Sequence, residues 1–333
     1  MSMIKIVSSS PHLRSKDTTT SIMLDVIIAL FPALVASVFI FGYRSLLLTA
    51  VCAATCVLTE YLSRKAFKRS NTVGDLSAVV TGILLAFNLP PSFPLWMAAI
   101  GCVFAILVVK QFFGGIGQNF VNPALAGRIV LMMSFSTRMG QWTAPFSWKA
   151  DQAMTTATPM ASLSEIFKSG NVSQSMAEST SLPTLLEMFL GFRGGCLGEV
   201  CAVALLIGGL YLIIRRVISP VIPFTYIATV AVLMLIAGKG DWQFVMYQVL
   251  GGGLMLGAFF MAPDYTTSPI STKGKLIYAV GCGLITVAIR LFGSLPEGVS
   301  FSIIIMNILV PHIEKMTTPK PFGTEKVKKE AAK

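Results

Sequence analysis

Eighteen consecutive residues without a charged side chain, VIIALFPALVASVFIFGY at 26–43, decide the class of fold to which this sequence belongs. A helix of about 18–20 apolar residues is long enough to cross the hydrocarbon core of a bilayer. Uncharged runs at 76–109, 217–238 and 242–263 reach the same length. Of the 333 residues, 54% are hydrophobic and only 12% are charged, whereas a soluble domain carries about 25% charged residues. The sequence therefore predicts an all-α polytopic membrane protein and excludes a soluble enzyme.

Apolar segments divide the chain into two groups of five. They lie at roughly 22–43, 45–62, 75–88, 94–113 and 121–135, and then at 197–214, 218–237, 243–262, 276–293 and 299–314. We therefore predict a tail and first five-helix repeat at 1–135, an outer loop of about 60 residues at 136–195, a second repeat at 196–316 and a basic tail at 317–333. Five spans per repeat place the two halves in opposite orientation, as in many transporters.

A weak internal similarity supports this division into about ten transmembrane helices. At an offset of 180 residues, four pairs of positions agree in identity or charge: Gly101/Gly281, Cys102/Cys282, Phe112/Phe292 and Lys110/Arg290. Each half also contains an interrupted element. The segment 75–91 ends in two prolines, and the segment 261–269 follows three consecutive glycines. Interrupted helices at matching places in two halves point to a central binding site.

The distribution of Lys and Arg predicts the orientation of the chain. If the N-terminus is inside, 18 of the 26 basic residues fall on the inner side, including those of the 63–74 loop. Basic residues are enriched on the cytoplasmic side of membrane proteins. We therefore expect both termini in the cytoplasm and the 136–195 loop on the outer face. The net charge of +11 is explained by these flanking residues, so we expect a lipid bilayer and no nucleic acid as a partner.

The strongest local candidate for a polar site at membrane depth is the segment 113–128. Gly115 and Gly117 allow the backbone to approach a ligand closely, and Asn119 and Asn122 supply amide donors and acceptors. A proline follows directly and would start a helix, whose free N–H groups favour an anionic partner. A tight glycine turn with a capping Asn would show the same pattern. The segment alone therefore names no ligand.

Five motifs carry a resemblance to a known family. They are SSSPHLR at 8–14, GIGQNFVNPA at 115–124, TTATP at 155–159, PDYTTSP at 263–269 and MNILVP at 306–311. Together, and over nearly the whole chain, they resemble the D subunits of Rnf complexes. The resemblance implies a membrane subunit of an ion-translocating complex that passes electrons between ferredoxin and NAD, coupled to Na⁺ or H⁺ transport. It also implies the cytoplasmic membrane of a bacterium or archaeon.

The resemblance further implies cofactors and partners. Members of the family carry FMN on a threonine of an outer-face loop, and the matching residue here is Thr158, with Thr155, Thr156 and Ala157 completing the recognition loop. A riboflavin or second FMN, bound non-covalently near the glycine-rich segment, is also implied. A flavin transferase would attach the covalent FMN. The iron–sulfur, NAD and further flavin sites would lie on other subunits, so that this chain alone holds no complete active site.

Two alternatives remain open at this stage. The B subunit of the sodium-pumping NADH:quinone reductase shares the same core, but it usually has a longer N-terminal extension than the roughly 20 residues before the first apolar segment here. A channel or secondary transporter could have the same inverted repeat, but it has no use for the loop around Thr158.

Charged side chains within or beside the spans are expected to have a specific role, because burying a charge in the membrane costs free energy. Asp264 and Asp25 are short acidic residues next to apolar runs, and we predict that they contact a cation or the second flavin. Lys110 and Arg290 lie near helix ends, from which long side chains are expected to extend to the membrane interface. The six cysteines and two histidines show no metal-ligand spacing, and no metal site is predicted.

Overall fold

The computed structural model describes residues 17–149, 158–168, 172, 182–293 and 298–318, and within these residues the chain is helical and forms no β-strand. The first half contains α1 (Thr19–Phe41), α2 (Tyr43–Ala66), α3 (Ser77–Phe87), α4 (Leu95–Gln111) and α5 (Pro123–Ser134). Short helices follow at α6 (Ser136–Met139), α7 (Pro159–Lys168) and α8 (Leu185–Leu190). The second half contains α9 (Ala202–Ile214), α10 (Val221–Ala237), α11 (Trp242–Leu250), α12 (Leu254–Met261), α13 (Thr272–Phe292) and α14 (Val299–Thr317).

Four of the described helices, α1, α2, α13 and α14, are long and apolar enough to cross a membrane by themselves. Helices α11 and α12 meet the same criterion only as a pair, with a bend of 60° at the break between them. The apolar helices α3, α4, α5, α9 and α10 have only 10–17 residues each. The prediction of a polytopic all-α protein is therefore confirmed at the level of its class, and the count of ten spans stays a prediction.

The outer surface of the bundle is apolar. Phe31 and Phe39 on α1, Ile214 on α9, Ile236 on α10 and Phe292 on α13 are each more than half exposed. Soluble monomers rarely expose apolar patches of this extent, because water solvates them poorly. Lipid chains or apolar surfaces of other subunits are the surroundings that such side chains require.

Some contacts between helices recur in the two halves. In the first half α2 packs against α3 and α4, and in the second half α10 packs against α11 and α13. Likewise α4 packs against α5, and α13 packs against α14. The halves meet through α1 with α9 and through α5 with α14. This pattern agrees with the internal similarity, which aligned α4 with α13.

Connections that were predicted to share the inner side contact one another at one end of the bundle. Arg69, which follows α2, donates a hydrogen bond to the carbonyl oxygen of Gln111 at the end of α4, over 3.0 Å. Asn119 donates to the hydroxyl of Thr266 over 2.9 Å and so joins the connection after α4 to the one after α12. Because α1 begins at this end, we call it the N-terminal face.

Other connections meet at the opposite face. Arg44, at the start of α2, donates to the carbonyl oxygen of Ser92 over 3.1 Å, and the Ser92 hydroxyl donates to Gln141 over 3.3 Å. The backbone N–H of Phe146 donates to the carbonyl oxygen of Ile40, at the end of α1, over 2.9 Å. The start of the predicted outer loop therefore lies across the bundle from the 63–74 loop.

The interruption in the second half lies earlier in the chain than predicted. The break falls at the three glycines between α11 and α12, and not within 261–269. Gly252 and Gly253 have φ values of +62° and +70°, a backbone conformation that side-chain-bearing residues rarely adopt. Residues 262–271 form the connection between α12 and α13 instead. In the first half α3 ends at Phe87, just before the two prolines, as predicted.

Candidate functional site

A cavity of about 360 Å³ lies between the two halves, next to the N-terminal face. Its wall is mostly apolar, with residues from α1, α3, α9 and α12, among them Ile22, Leu84, Leu212 and Phe260. A few polar groups interrupt this wall. Cavities of about 300–1,000 Å³ with an apolar wall and a few convergent polar groups are typical of small-molecule sites.

Four of the residues predicted for a binding site converge on this cavity. Gly117, Asn119 and Asn122 come from the connection between α4 and α5, and Asp264 comes from the connection after α12. The hydroxyl of Thr266 joins the two connections, since it accepts from Asn119 Nδ2 over 2.9 Å and donates to Asp264 Oδ2 over 3.1 Å. Residues more than 140 positions apart in the sequence thus form one polar cluster.

Asn122 has a structural role in addition to its place in the wall. Its Oδ1 accepts hydrogen bonds from the backbone N–H groups of Ala124 and Leu125, which caps the N-terminus of α5. Its Nδ2 donates to the carbonyl oxygen of Met261 over 3.3 Å and ties α5 to the end of α12. The capping Asn considered in the sequence is therefore present, and it lies in the wall of a cavity.

Asp264 is half-buried in the connection between α12 and α13. Burial raises the pKa of its carboxyl group, while hydrogen bonds from Thr266 and Thr267 offset part of this rise. A carboxyl group in such surroundings is suited to hold a proton or to bind a cation.

Glu60 and Lys110 form a buried ion pair in the structure. Lys110 Nζ lies 2.8 Å from Glu60 Oε2 and donates to the hydroxyl of Ser77 over 2.6 Å, and Lys110 and Ser77 both line the cavity. The expectation that Lys110 extends to the interface is wrong, because its side chain is only 4% exposed. No role was predicted for Glu60 from the sequence, although it is the only charged residue within the apolar segment 45–62.

Gly115 lies outside the cavity wall. Its φ is +110°, and a Cβ atom at this position would collide with the guanidinium of Arg64. Gly115 therefore shapes the connection beside the cavity and leaves ligand contact to its neighbours.

Asp25 also lies away from the cavity. Its carboxylate accepts from the Tyr211 hydroxyl over 2.9 Å and pairs with Arg215 over 3.2 Å, which joins α1 to α9 at the N-terminal face. These contacts give Asp25 a structural role between the two halves.

Thr158 lies directly before α7, and its side chain is buried. Its carbonyl oxygen accepts from the N–H of Ala161 over 3.0 Å, so that it forms part of the first turn of the helix. Thr155, Thr156 and Ala157 lie outside the described residues.

Helix α7 packs against α11 and α13, close to the break between α11 and α12. A Cβ atom built on Gly251 would lie 2.8 Å from Met160 Sδ and 3.3 Å from Arg193 Nη1. On Gly252 it would lie 2.6 Å from Arg290 Nη2 and 3.4 Å from Met160 Cγ. Met160, two residues after Thr158, is therefore seated beside both guanidinium groups.

Arg290 holds the carbonyl groups of this break. It donates to the carbonyl oxygen of Gln248 over 2.6 Å and to those of Gly251 and Gly252 over 3.1 Å each. The side chain is 2% exposed, so the expected extension to the interface is wrong here as well. Helix ends leave carbonyl groups without an intrahelical partner, and inside a membrane protein those groups need donors. The arginine supplies such donors.

These features define a polytopic helical membrane protein with a cavity between its two halves, whose mostly apolar wall carries a few polar groups. The chain belongs to the NQR2, RnfD, RnfE family, whose sequence model matches residues 6–323. The resemblance read from the five motifs is confirmed.

Individual relatives are similar over nearly their full length. The D subunit of the Na⁺-translocating ferredoxin:NAD⁺ oxidoreductase complex of Acetobacterium woodii is 50% identical over 98% of this chain and 97% of its own. The D subunit of the proton-translocating ferredoxin:NAD⁺ oxidoreductase complex of Clostridium ljungdahlii is 41% identical over 96% of both chains. The D subunit of an ion-translocating oxidoreductase complex of Stutzerimonas stutzeri is 35% identical over 92% of this chain and 93% of its own.

Proposed function

We propose that this chain is the flavin-carrying membrane subunit of an Rnf-type complex, which passes electrons between ferredoxin and NAD and couples this transfer to ion movement. The family supports a redox complex subunit over a channel, and the names of the three relatives support an Rnf-type complex over the quinone reductase. The coupling ion is Na⁺ or H⁺, since the names of two relatives differ in this respect.

The observation that carries the flavin assignment is the convergence of Gly117, Asn119, Asn122 and Asp264 on one cavity. Amide groups donate to and accept from the polar edge of a flavin ring, and the apolar wall suits its faces. We assign this cavity to a non-covalent riboflavin or FMN. A bound flavin supplies one- and two-electron transfer, while the side chains of this protein bind and orient it.

The covalent FMN is assigned to Thr158, with Thr155, Thr156 and Ala157 as the recognition loop for a flavin transferase. A phosphoester on Thr158 would carry negative charge. The guanidinium groups of Arg193 and Arg290, which flank Met160 two residues further on, favour an anionic group at this place. Both arginines also engage the helix break, so they are positioned before any flavin is attached.

The remaining chemistry belongs to partner subunits of the complex, which would hold the iron–sulfur, NAD and further flavin sites. The chain would lie in the cytoplasmic membrane with both termini in the cytoplasm. The N-terminal face, with the cavity, is then the cytoplasmic face, and the proposed covalent flavin lies toward the other side.

Flavin analysis of the full chain, produced together with its transferase, tests both assignments. After denaturation and acid precipitation, the covalent flavin should remain on the polypeptide as fluorescence and added mass, while the second flavin should appear in the supernatant. Thr158→Ala should abolish only the first signal. Thr155→Ala is the control and should at most lower its yield. Covalent flavin on the Thr158→Ala variant would contradict the assignment of the attachment residue.

A neighbouring pair of substitutions tests the cavity. Asn119→Leu should reduce the flavin released into the supernatant, because it removes the amide from the cavity wall. Gln118→Leu is the matched control, since Gln118 is exposed and does not line the cavity. Equal flavin release from both variants would contradict a flavin in this cavity.

A further inference from the structure

Hydrogen bonds connect the cavity to the N-terminal face through Lys110. Lys110 Nζ donates to the Ser77 hydroxyl over 2.6 Å, and Ser77 in turn donates to Asp75 Oδ1. Asp75 is half-buried at the end of the turn Val73–Asp75. Gly74, the middle residue of this turn, is exposed. The cavity wall is thus joined to the protein surface by three polar side chains in succession.

A second branch leaves Lys110 through Glu60. Glu60 Oε2 accepts from Lys110 over 2.8 Å, and Oε1 accepts from the Thr72 hydroxyl over 2.8 Å. Glu60 is fully buried, whereas Thr72 is half-buried next to the exposed Asn71. Both branches therefore end in the same surface segment ahead of α3.

Ammonium, carboxyl and hydroxyl groups at these distances are the groups through which proteins pass protons. We propose that Lys110 delivers the proton that a flavin in the cavity takes up on reduction, and that the two branches return a proton to Lys110 from the N-terminal face. This inference rests on the non-covalent flavin of the proposed function. It adds the path that the proton follows and the face of the protein, the N-terminal face, from which the proton is taken up.

The transfer balances in protons and electrons. Two-electron reduction of a flavin ring consumes two electrons, supplied by the redox partners of the complex, and at least one proton at a ring nitrogen. Lys110 Nζ gives up that proton and becomes a neutral amine. Water at the N-terminal face first protonates the Asp75 carboxylate or, through the Thr72 hydroxyl, the Glu60 carboxylate. Lys110 then regains its proton from the Ser77 hydroxyl, as Ser77 takes one from the protonated Asp75, or it regains it directly from the protonated Glu60, and the carboxyl group becomes a carboxylate again.

Several charged groups surround Lys110 among the described residues. Glu60 pairs with Lys110, and Asp75 is joined to it through Ser77. Arg64 lies beside Gly115, whose N–H donates to the carbonyl oxygen of Lys110, and Asp264 lines the same cavity. A purely structural ion pair would need only Glu60 and a permanent positive charge. Lys110→Arg separates the two roles, because an arginine keeps the charge but does not release its proton in proteins.

The test uses the full chain in lipid nanodiscs, in a Thr158→Ala background that removes the covalent flavin signal. The flavin is reduced photochemically, its absorbance gives the rate, and a pH indicator gives proton uptake. Flavin content after extraction and thermal stability are measured for each variant. Lys110→Arg should keep its flavin and slow proton-coupled reduction by about 10²-fold, the lower end of general acid catalysis. The double variant Thr72→Val with Asp75→Asn, which blocks both branches, should slow it as well.

The results of this test distinguish a proton relay from a purely structural ion pair and from a cavity without flavin. Reduction of Lys110→Arg at the rate of the parent chain would overturn the proton role and leave a structural ion pair. If Lys110→Arg loses its flavin or its stability, the double variant Thr72→Val with Asp75→Asn decides, because it blocks both branches, and an unchanged rate in that variant overturns the proposal. A parent chain that releases no flavin on extraction refutes the cavity assignment, and the relay with it. Slow reduction in both variants with flavin retained supports the relay.

Discussion

Replacement of Arg290 by methionine should destabilise the break between α11 and α12. The substitution removes the donors to the carbonyl oxygens of Gln248, Gly251 and Gly252, all of which lie in a buried part of the bundle. A buried acceptor that loses its partner costs about 1–3 kcal/mol. Three such acceptors, partly relieved by local relaxation, give an expected loss of about 3–5 kcal/mol, similar to that for other buried charged groups whose partner is removed.

The same substitution should loosen α7, because Met160 packs beside Arg290 over Gly252. Thermal unfolding in detergent measures the loss of stability, and hydrogen exchange of the backbone amides of α7 measures the local effect. Arg290→Lys is the control, since an ammonium group keeps the charge and a part of the donors. It should fall between the parent chain and the methionine variant in both measurements.

Stability within about 0.5 kcal/mol of the parent chain, the range of ordinary surface substitutions, would refute this reasoning for Arg290→Met. The carbonyl groups of the break would then be satisfied without the guanidinium. Unchanged exchange in α7 together with a large loss of stability would show that the break and the Thr158 segment are independent.

Three further predictions follow from the fold. In a variant without the native cysteines, Phe67→Cys should react with a membrane-impermeant label only from the cytoplasmic side and Lys239→Cys only from the outside; the reverse result would contradict the orientation. Gly208→Ala should lower stability by about 1–3 kcal/mol, because its Cβ would collide with the backbone of α1, whereas Gly74→Ala, with open space around it, should be neutral in the same unfolding assay. Asp25→Asn should change stability by no more than about 1 kcal/mol, since its arginine partner is more than half exposed; a larger loss would show a buried role.

Local sequence was sufficient to predict the polar residues that the connection between α4 and α5 contributes to the cavity wall. Gly117, Asn119 and Asn122 lie within six residues, so a single stretch of glycine and amide side chains at membrane depth revealed them. Asp264 was suggested by an acidic side chain next to an apolar run, without any indication of where it would pack. Its position beside Asn119 depends on how the two halves meet, which the sequence pattern does not specify.

The charged residues were harder to predict because their partners lie on other helices. Lys110 reaches Glu60 across the contact between α4 and α2, and these positions are 50 residues apart. Near the end of an apolar segment, a lysine that extends to the interface and one that is buried in an ion pair give the same sequence pattern. The contact between α2 and α4 distinguishes the two cases. A search for single charges inside apolar segments would have found Glu60.

The buried position of Thr158 has a consequence for the order of biogenesis. A transferase must bring its own active site to the hydroxyl group it modifies, and a side chain that is 5% exposed leaves no room for such an approach. If Thr158 carries the proposed FMN, its modification therefore has to precede the docking of α7, or α7 has to detach for it. The docking of α7 would then be a maturation step that distinguishes chains newly inserted into the membrane from chains that already carry FMN. The time available for the proposed attachment would then depend on how fast α7 packs, with Met160, against the glycines of the break.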